Sequence, residues 1–276
     1  MSKEEDTEMN FQEAKEQFGE QARIPKTIED GFLLSGDGIF QNFQGEGKTI
    51  GCPAVFIRLH GCNLSCGWEG DGGQICDAWY TWKTDTKEYW TEHYYMTFKE
   101  LYDKIRSYNC SRIIFTGGEP LMQQTQIGKF IKEYLDDPDG EDICWDVEIE
   151  TNGTILPTAI ASVYNFVDVW YNCSPKLSNA GPQEEKLRIK PDVLDELDKR
   201  GASFKFVVTR LEDLTEIEEV CESAQIKPEH IILMPEGVDA EILSERMRYF
   251  AKYAIERGWR MVPRLQIYLW GNKRGT

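Results

Sequence analysis

The sequence predicts an α/β fold in which parallel strands alternate with crossover helices, arranged as a barrel or as an open sheet. From residue 97 onward, segments with helical periodicity alternate with short apolar segments that are typical of strands. The 276 residues, 41% of them hydrophobic, suffice to bury one substantial core. Polar turns follow several of the strands, and ligands of parallel α/β sheets bind at that end. We therefore expect one main domain with its site at the carboxyl ends of the strands.

Composition and charge narrow the functional classes. The formal net charge is −17 and the isoelectric point is about 4.7, so long-range electrostatics repel nucleic acid and anionic membranes. No apolar run approaches the roughly 20 residues that a membrane helix needs, and the N-terminus lacks a signal-peptide pattern. Eight cysteines are spread along the chain rather than crowded into a small secreted framework. We expect a cytoplasmic protein with no direct nucleic-acid partner and no membrane partner.

The first part of the chain is predicted to be peripheral. Residues 1–34 form an acidic extension with a weak helical pattern at residues 10–21, and we assign no chemistry to it. The main domain is then expected to span residues 35–276. Within it, residues 38–47 mix aromatic, polar and glycine residues, which indicates a loop that closes over a ligand.

The first strong strand is predicted at residues 55–59, with Arg58 in its middle. A charge inside an apolar strand requires a partner. One interpretation is an internal salt bridge. The other is recognition of an anionic carboxylate, for which the planar guanidinium group is well suited. The sequence leaves both open.

The remaining elements follow in alternation. Helices are predicted at residues 97–108, 123–135, 190–200, 213–224 and 240–257. Strands are predicted at residues 112–115, 146–150, 167–171, 203–208, 231–234 and 264–270. The chain ends shortly after the last strand, so the carboxylate of Thr276 either enters a pocket or frays.

Polar turns fall at the predicted carboxyl ends of these strands, at residues 116–120, 150–153, 173–176 and 235–237. Each turn alone is ordinary, and Glu119 in the first of them could be no more than a charge at a helix N-terminus. Because strand ends of a parallel sheet meet at one edge, the turns together indicate a ring of polar groups around one mouth.

A loop with three thiols, Cys62, Cys66 and Cys76, follows the first strong strand. Three ligands fill three corners of a four-iron cluster and leave one iron open for chemistry. A zinc site completed by His60, or a cluster with a fourth protein ligand, remains an alternative. The other five cysteines lie in or beside apolar segments and are expected to be packing residues.

With these residues in place, the sequence resembles the radical S-adenosylmethionine (SAM) superfamily and, within it, the 7-carboxy-7-deazaguanine synthase family. The resemblance runs from about residue 36 to the C-terminus. It is carried by seven motifs in order, at residues 43–47 (FQGEG), 56–59 (FIRL), 76–82 (CDAWYTW), 115–120 (FTGGEP), 150–154 (ETNGT), 174–176 (SPK) and 270–275 (WGNKRG).

The resemblance implies a fold, a reaction and partners. The fold would be a partial TIM-like β/α barrel of about six parallel strands. The enzyme would be a lyase of queuosine and deazapurine biosynthesis that contracts the ring of 6-carboxy-5,6,7,8-tetrahydropterin to 7-carboxy-7-deazaguanine with loss of ammonia. It would use a 4Fe-4S cluster, SAM and Mg²⁺, receive electrons from a flavodoxin-like donor, and act as a homodimer.

The resemblance also implies roles for matching positions. The cluster ligands would be Cys62, Cys66 and Cys76. The residues that hold SAM would be Ile75, Asp77, Gly118, Ser174, Pro175, Lys176, Met234, Pro235, Glu236 and Gly237. The residues that hold the pterin would be Phe43, Gln44, Gly45, Glu46, Arg58, Thr116 and Thr276.

Three features depart from the family pattern. Nine residues separate Cys66 from Cys76, and residues 69–74 form a glycine-rich insertion between them. Ala78 stands where the family has a Ser or Thr that helps to bind magnesium, so the magnesium ion is in doubt. Gln266 stands where the family often has His. Two other functions stay open, a radical SAM activase of a glycyl radical enzyme and a non-enzymatic iron–sulfur binding protein.

Overall fold

The computed structural model describes residues 9–26, 28–67, 76–136, 144–160, 163 and 167–275. The glycine-rich insertion at residues 69–74 lies outside the described residues. Two predicted site residues, Ile75 and Thr276, also lie outside them.

The described strands form one nine-stranded sheet. In chain order they are β1 (Gly31–Phe43), β2 (Pro53–Leu59), β3 (His93–Thr97), β4 (Arg112–Gly117), β5 (Asp146–Thr151), β6 (Asp168–Cys173), β7 (Ser203–Val208), β8 (Ile231–Pro235) and β9 (Arg260–Met261). Their order in the sheet is β3-β1-β2-β4-β5-β6-β7-β8-β9. The strands from β2 and β4 through β9 pair in parallel, whereas β1 is antiparallel to both β2 and β3.

The predicted mixed α/β fold with a parallel core is confirmed, but the partial barrel is not. The sheet is open, because among the described residues the edge strands β3 and β9 each pair with one neighbour only. The expected strands at residues 112–115, 146–150, 203–208 and 231–234 lie within β4, β5, β7 and β8. Their carboxyl ends still share one edge, which is where a site was expected.

Most of the helices lie between successive strands, whereas α1 precedes β1 and α9 follows β9. They are α1 (Phe11–Phe18), α2 (Lys87–Thr91), α3 (Phe98–Arg106), α4 (Gln124–Phe130), α5 (Glu185–Arg188), α6 (Pro191–Lys199), α7 (Glu212–Ser223), α8 (Ala240–Arg257) and α9 (Leu265–Trp270). Local signals set their ends: Thr97 and Glu100 form a capping box that starts α3, and Gly258 ends α8 with φ 67°. No helix in the described part of the chain is long and apolar enough to cross a lipid bilayer.

The two faces of the parallel strands differ in polarity. Apolar residues such as Val147, Ile149 and Phe204 point to one face and form the main core with the helices. The residues between them point to the opposite face, and Glu148 and Lys205 are almost fully buried there. Because an apolar sheet covered on both faces reads as a continuous hydrophobic run, this alternation marks a second face built for polar contacts.

The antiparallel strand β1 corrects two expectations. Residues 38–43 are strand rather than loop, and the loop begins only after Phe43. Phe32 and Leu34 are fully buried in the main core, and the expected boundary between residues 34 and 35 falls inside β1. Glycine and polar residues interrupt the strand pattern here, and a register shift between Leu34 and Ile39 accommodates them against β2.

The strand expected at residues 264–270 is wrong, because this segment forms helix α9. Val262 still donates a hydrogen bond to Leu233 beside β9, but Pro263 has no N–H with which to extend the ladder. The chain therefore leaves the sheet and turns into a helix. A short apolar run does not distinguish strand from helix by periodicity alone.

We expect Phe130→Ala to lower the free energy of unfolding by about 3–5 kcal/mol, since the substitution leaves a cavity in the main core. The Phe130 ring is fully buried and lies 5.7 Å from both Phe32 and Phe98 between ring centroids. Urea unfolding of the apo-protein measures the change. The control, Ile255→Ala on α8, removes a side chain that is 78% exposed and should change stability by no more than about 0.5 kcal/mol. Similar losses in both variants would contradict the assignment of the core.

Candidate active site

The three thiols lie together at the carboxyl edge of the sheet. Cys62 and Cys66 follow the end of β2, and Cys76 precedes a 3₁₀ turn at Trp79–Thr81. All three are partly buried and none forms a disulfide. Burial, together with the charges of Glu119, Cys66 and Cys76, raises the pKa of Cys62 to about 12. Burial and Cys66 likewise raise the pKa of Cys76 to about 11. Such thiols ionise only when a cation offsets their mutual repulsion, which fits a metal cluster.

The nearby imidazole of His60 does not join the thiols. Its ring packs 4.9 Å from that of His93 between centroids, and its Nδ1 lies 3.2 Å from the Ser35 hydroxyl. Burial, followed by the neighbouring His93, lowers the pKa of His60 to about 3. Within the ranges that the structure describes, no three His, Cys, Asp or Glu side chains converge closely enough to hold one metal ion. The thiols are thus arranged without the imidazole that a single zinc site would need.

The thiol loop is fastened to the ends of β2 and β4. Gly61 donates a backbone hydrogen bond to Thr81 at 3.0 Å and accepts one from Glu119 at 2.8 Å. Gly118 donates to the Leu59 carbonyl at 3.2 Å, and a Cβ at Gly118 would come within 2.0 Å of the Gly61 oxygen. This close approach of two backbones explains the need for glycine at residue 118.

Glu119 ties the same junction to the next strand. Its carboxylate is fully buried and accepts hydrogen bonds from the backbone N–H of Leu121 at 3.0 Å, the Thr151 hydroxyl at 2.8 Å and the backbone N–H of Asn152 at 2.7 Å. Burial raises the pKa of Glu119, and these hydrogen bonds offset part of that rise. Glu119 is therefore more than a helix-terminal charge, because it fixes the end of β4 against the end of β5.

Two of the residues expected to hold the pterin meet beneath this edge. The Gln44 amide is buried and donates to Glu148 at 2.8 Å and to Glu150 at 3.0 Å. The Thr116 hydroxyl donates to the other oxygen of Glu150 at 2.5 Å. Burial, then repulsion from Glu150, raises the pKa of Glu148. Gln44 and Thr116 are thus held in place by a pair of carboxyl groups, of which Glu148 is buried and Glu150 is partly buried.

Glu46, also expected to hold the pterin, lies at the centre of a charged cluster. It pairs with Lys205, and accepts hydrogen bonds from Arg264 at 3.1 Å and from Gln266 at 2.7 Å. Burial alone would raise the pKa of Glu46, but the charges of Lys205 and Arg264 outweigh it and hold this pKa well below its usual range. The Glu46 carboxylate is consequently ionised and its position is fixed.

Arg58 has no salt bridge among the described residues. Its guanidinium lies 5.5 Å from the centroid of the Phe40 ring, and its buried Nε has no hydrogen-bond partner there. The internal salt bridge that the sequence left open is therefore not seen in the described part of the chain. A buried N–H without a partner points to a ligand that would accept from it.

The residues expected to hold SAM lie on three separate loops. Lys176 donates to the Ser174 hydroxyl at 3.2 Å, and its charge lowers the pKa of Cys76, which places the 174–176 turn beside the thiols. Asp77 forms an ion pair with Arg264, and Arg264 also donates to the Gly237 carbonyl at 3.1 Å.

Other expected site residues make different contacts. Glu236 pairs with Arg246 of α8, while Met234 and Pro235 are buried in β8. Phe43 is 44% exposed at the end of β1. Asp77 and Lys176 act electrostatically on the Cys76 thiol, and Gly118 packs against Gly61 of the thiol loop, which places these three beside the thiols.

Sequence reasoning missed several residues of this edge. They are Glu148, Asn172, Lys205 and Arg264. The first three alternate with apolar residues in β5, β6 and β7. This alternation is visible in the sequence and would have identified them as the polar face of the sheet. Arg264 carries no such signal, because its partners lie far away in the sequence.

The chain is similar to several known proteins. A family model described as a 4Fe-4S single cluster domain matches residues 43–190. The 7-carboxy-7-deazaguanine synthase of Halobacterium salinarum is 32% identical, over 90% of this chain and 94% of the relative. The 7-carboxy-7-deazaguanine synthase of Pyrobaculum aerophilum is 33% identical, over 86% of this chain and 95% of the relative. The crystal structure of QueE from Escherichia coli matches with a TM-score of 0.59 and 24% identity, covering 85% of this chain and 94% of that one.

We expect Gly118→Ala to lower the iron content after cluster reconstitution several-fold, because the added methyl group would push Gly61 and the thiol loop away from β4. Iron and sulfide analysis, with the visible absorbance of the cluster, measures the loss. The control is Gly258→Ala, at a glycine where no atom lies within 4 Å of the new Cβ and where φ is 67°. If Gly118→Ala held as much iron as the control, the thiol loop would not depend on this contact.

Proposed function

Since the chain belongs to the 7-carboxy-7-deazaguanine synthase family, we propose that it converts 6-carboxy-5,6,7,8-tetrahydropterin to 7-carboxy-7-deazaguanine. The reaction contracts the pyrazine ring and releases ammonia. The observation that carries this proposal is one edge of the sheet that combines three partly buried thiols with two polar features, the charged cluster around Glu46 and the buried Nε of Arg58 that has no partner among the described residues.

The residues at the edge fit a 4Fe-4S cluster and SAM. Cys62, Cys66 and Cys76 would bind three irons, which leaves the fourth iron for the amino and carboxylate groups of SAM. When bound, the two groups supply a 5′-deoxyadenosyl radical that removes a hydrogen atom from C6 of the pterin. The protein contributes by binding, orienting and excluding water.

We assign SAM to the loops beside the thiols. Asp77 and Lys176 act on the Cys76 thiol, and Gly118 packs against Gly61 of the thiol loop, so these three lie beside the proposed cluster. The turn at Ser174–Lys176 is anchored by the backbone hydrogen bond from Ser174 to Thr151 at 2.7 Å. The loop at residues 234–237 and Ile75 complete the proposed set.

We assign the pterin to the polar pocket. Gln44, Gly45 and Glu46 form its near wall, and a Cβ at Gly45 would come within 1.8 Å of the Gln266 side-chain oxygen. That oxygen is itself buried without a hydrogen-bond partner in the described residues, so it offers an acceptor to a ring N–H. Arg58 would receive the substrate carboxylate, with Thr116, Phe43 and the terminal carboxylate of Thr276 as further contacts.

The tail that leads to Thr276 is held in place by Arg274. Its guanidinium stacks 3.6 Å from the centroid of the Tyr80 ring and pairs with Glu92. Tyr80 belongs to the turn that follows Cys76, so Arg274 lies near the thiol loop. This contact supports the proposal that Thr276 reaches the site.

Further partners follow from the proposed reaction. One-electron reduction of the cluster requires a donor, for which we propose a flavodoxin-like protein. We further propose that the enzyme works in the cytoplasm, that it is a homodimer, and that its product enters queuosine or another deazapurine pathway. The family resemblance also implies magnesium near residue 78, where Ala78 offers only a methyl group.

Anaerobic assay of the reconstituted protein tests the function. The mixture contains SAM, dithionite, magnesium and the carboxytetrahydropterin, and mass spectrometry follows the products. Formation of 7-carboxy-7-deazaguanine together with 5′-deoxyadenosine supports the proposal. Deoxyadenosine without the deazapurine would overturn the substrate. A protein with an intact cluster that forms neither product would be an iron–sulfur binding protein rather than this enzyme.

We expect Cys→Ala at residue 62, 66 or 76 to abolish formation of both products, since each variant removes one of three cluster ligands. Cys144→Ala is the matched control, because this cysteine is exposed and lies away from the loop in sequence. Iron analysis and the product assay are the measurements. Full turnover by any of the three loop variants would remove that cysteine from the ligand set.

We expect Arg58→Ala to lower kcat/KM for the pterin by about 10- to 100-fold, the effect of losing a charged hydrogen bond of about 1.5–3 kcal/mol. Cleavage of SAM without the pterin should be unchanged, because Arg58 is assigned to the substrate alone. Arg58→Lys retains the charge and should lose less. Equal losses of SAM cleavage and pterin turnover in Arg58→Ala would refute the assignment.

A further inference from the structure

Residue 78 and its surroundings do not fit a magnesium ion. Ala78 has a methyl group where a hard cation needs oxygen, and it is 6% exposed. The nearest carboxylate in sequence, Asp77, is paired with Arg264. The other described carboxylates of this edge are also engaged. Glu46 pairs with Lys205 and Arg264, and Glu119 accepts from three hydrogen-bond donors. Glu148 and Glu150 accept from Gln44, Thr49 and Thr116.

Arg264 occupies the place where loops of the proposed site meet. Its side chain is 7% exposed, and its three nitrogen atoms bind three different segments. Nε donates to Glu46 at 3.1 Å, Nη1 donates to the Gly237 carbonyl at 3.1 Å, and Nη2 pairs with Asp77. The guanidinium thus joins the loop after β1, the loop after β8 and the turn after Cys76.

The charges in this cluster balance without a metal. Glu46 and Asp77 contribute two negative charges, and Lys205 and Arg264 contribute two positive charges within hydrogen-bonding or ion-pairing distance. A divalent cation placed here would approach a buried guanidinium, and no acidic side chain among the described residues around Arg264 is free to offset the repulsion. A guanidinium cannot lose its proton in a protein, so this positive charge is permanent.

We propose that Arg264 is a positioning residue that takes the place of a divalent cation in this enzyme, which therefore turns over without magnesium. The inference rests on the proposed function, because magnesium is implied only through the resemblance to the family. Arg264 orients Glu46 toward the pterin and Asp77 toward SAM by fixing both carboxylates to one planar group.

The first test measures the rate of 7-carboxy-7-deazaguanine formation by the reconstituted wild-type protein. The rate is measured in buffer freed of divalent cations and in the same buffer with added magnesium chloride. We expect rates of 7-carboxy-7-deazaguanine formation within twofold of each other. Stimulation by magnesium of more than tenfold would overturn the inference while leaving the proposed function intact.

The second test measures metal binding directly and does not depend on turnover. Manganese chloride is the probe, and the signal of free aqueous Mn²⁺ in electron paramagnetic resonance reports binding to the reconstituted protein without reductant. Wild type should leave the free signal unchanged. If no deazapurine forms in either buffer, the proposed function fails, and this measurement alone decides the inference: specific Mn²⁺ binding by wild type, lost in Asp77→Asn, would overturn it.

Substitutions at residues 78 and 264 test whether the Arg264 guanidinium is the reason that turnover does not need magnesium. The double variant Ala78→Thr with Arg264→Gln supplies an oxygen and frees Asp77, so we expect it to bind Mn²⁺ and to gain a several-fold stimulation by magnesium. Arg264→Lys keeps a charge but loses the fork, and we expect a higher KM for both substrates with magnesium still inert. The control is Arg257→Gln, which breaks a 2.7 Å pair with Glu218 between α8 and α7 and should match wild type. A correctly folded double variant that neither binds Mn²⁺ nor is stimulated by magnesium would overturn the assignment to Arg264.

Discussion

The buried carboxylate of Glu119 is the contact on which the edge of the sheet depends. An ionised carboxylate without solvent is stable only when hydrogen-bond donors replace water, and Glu119 has three of them. Those donors come from the turn after β4 and from the end of β5, while the Glu119 N–H holds the Gly61 carbonyl of the thiol loop. Glu119 consequently fixes the end of β4, the end of β5 and the thiol loop relative to one another. The rest of the site is arranged from there, because the thiols, the 174–176 turn and the polar pocket all extend from these ends.

A buried polar face beside an apolar core explains how one sheet serves both stability and chemistry. Alternate residues of β5 and β7 send apolar side chains to the helices and Glu148, Glu150 and Lys205 to the opposite side. Polar groups at that depth must pair with one another, which they do through Gln44 and Glu46 of the loop after β1. These contacts attach the loop after β1 to β5 and β7. The loop reaches this position because β1 ends beside it at Phe43.

The sequence permitted most of the fold and the thiol loop to be predicted, for identifiable reasons. Helical and strand periodicity located α8 and β7 to the residue, because their apolar positions are regular. The three cysteines and the double glycine are local motifs that need no knowledge of the fold. Strand β1 was missed because glycine and polar residues break its pattern, and α9 was taken for a strand because Pro263 acts only through the ladder it fails to extend. Arg264 was missed because its partners Asp77 and Glu46 are 187 and 218 residues away.

The charge distribution of the edge resolves an apparent conflict between the acidic protein and an anionic substrate. A net charge of −17 repels a carboxylated pterin at long range, but salt screens that repulsion beyond about 8 Å at physiological ionic strength. At contact distance, the buried charged groups of the site determine the electrostatic interaction with the ligand. Glu46 is neutralised by Lys205 and Arg264, so it adds little repulsion, whereas Arg58 is charged and has no acidic partner among the described residues. Glu148 and Glu150 accept hydrogen bonds from Gln44, Thr49 and Thr116 and form no ion pair with Arg58 among the described residues. A ligand carboxylate beside Arg58 would therefore supply the acidic partner that the described residues do not.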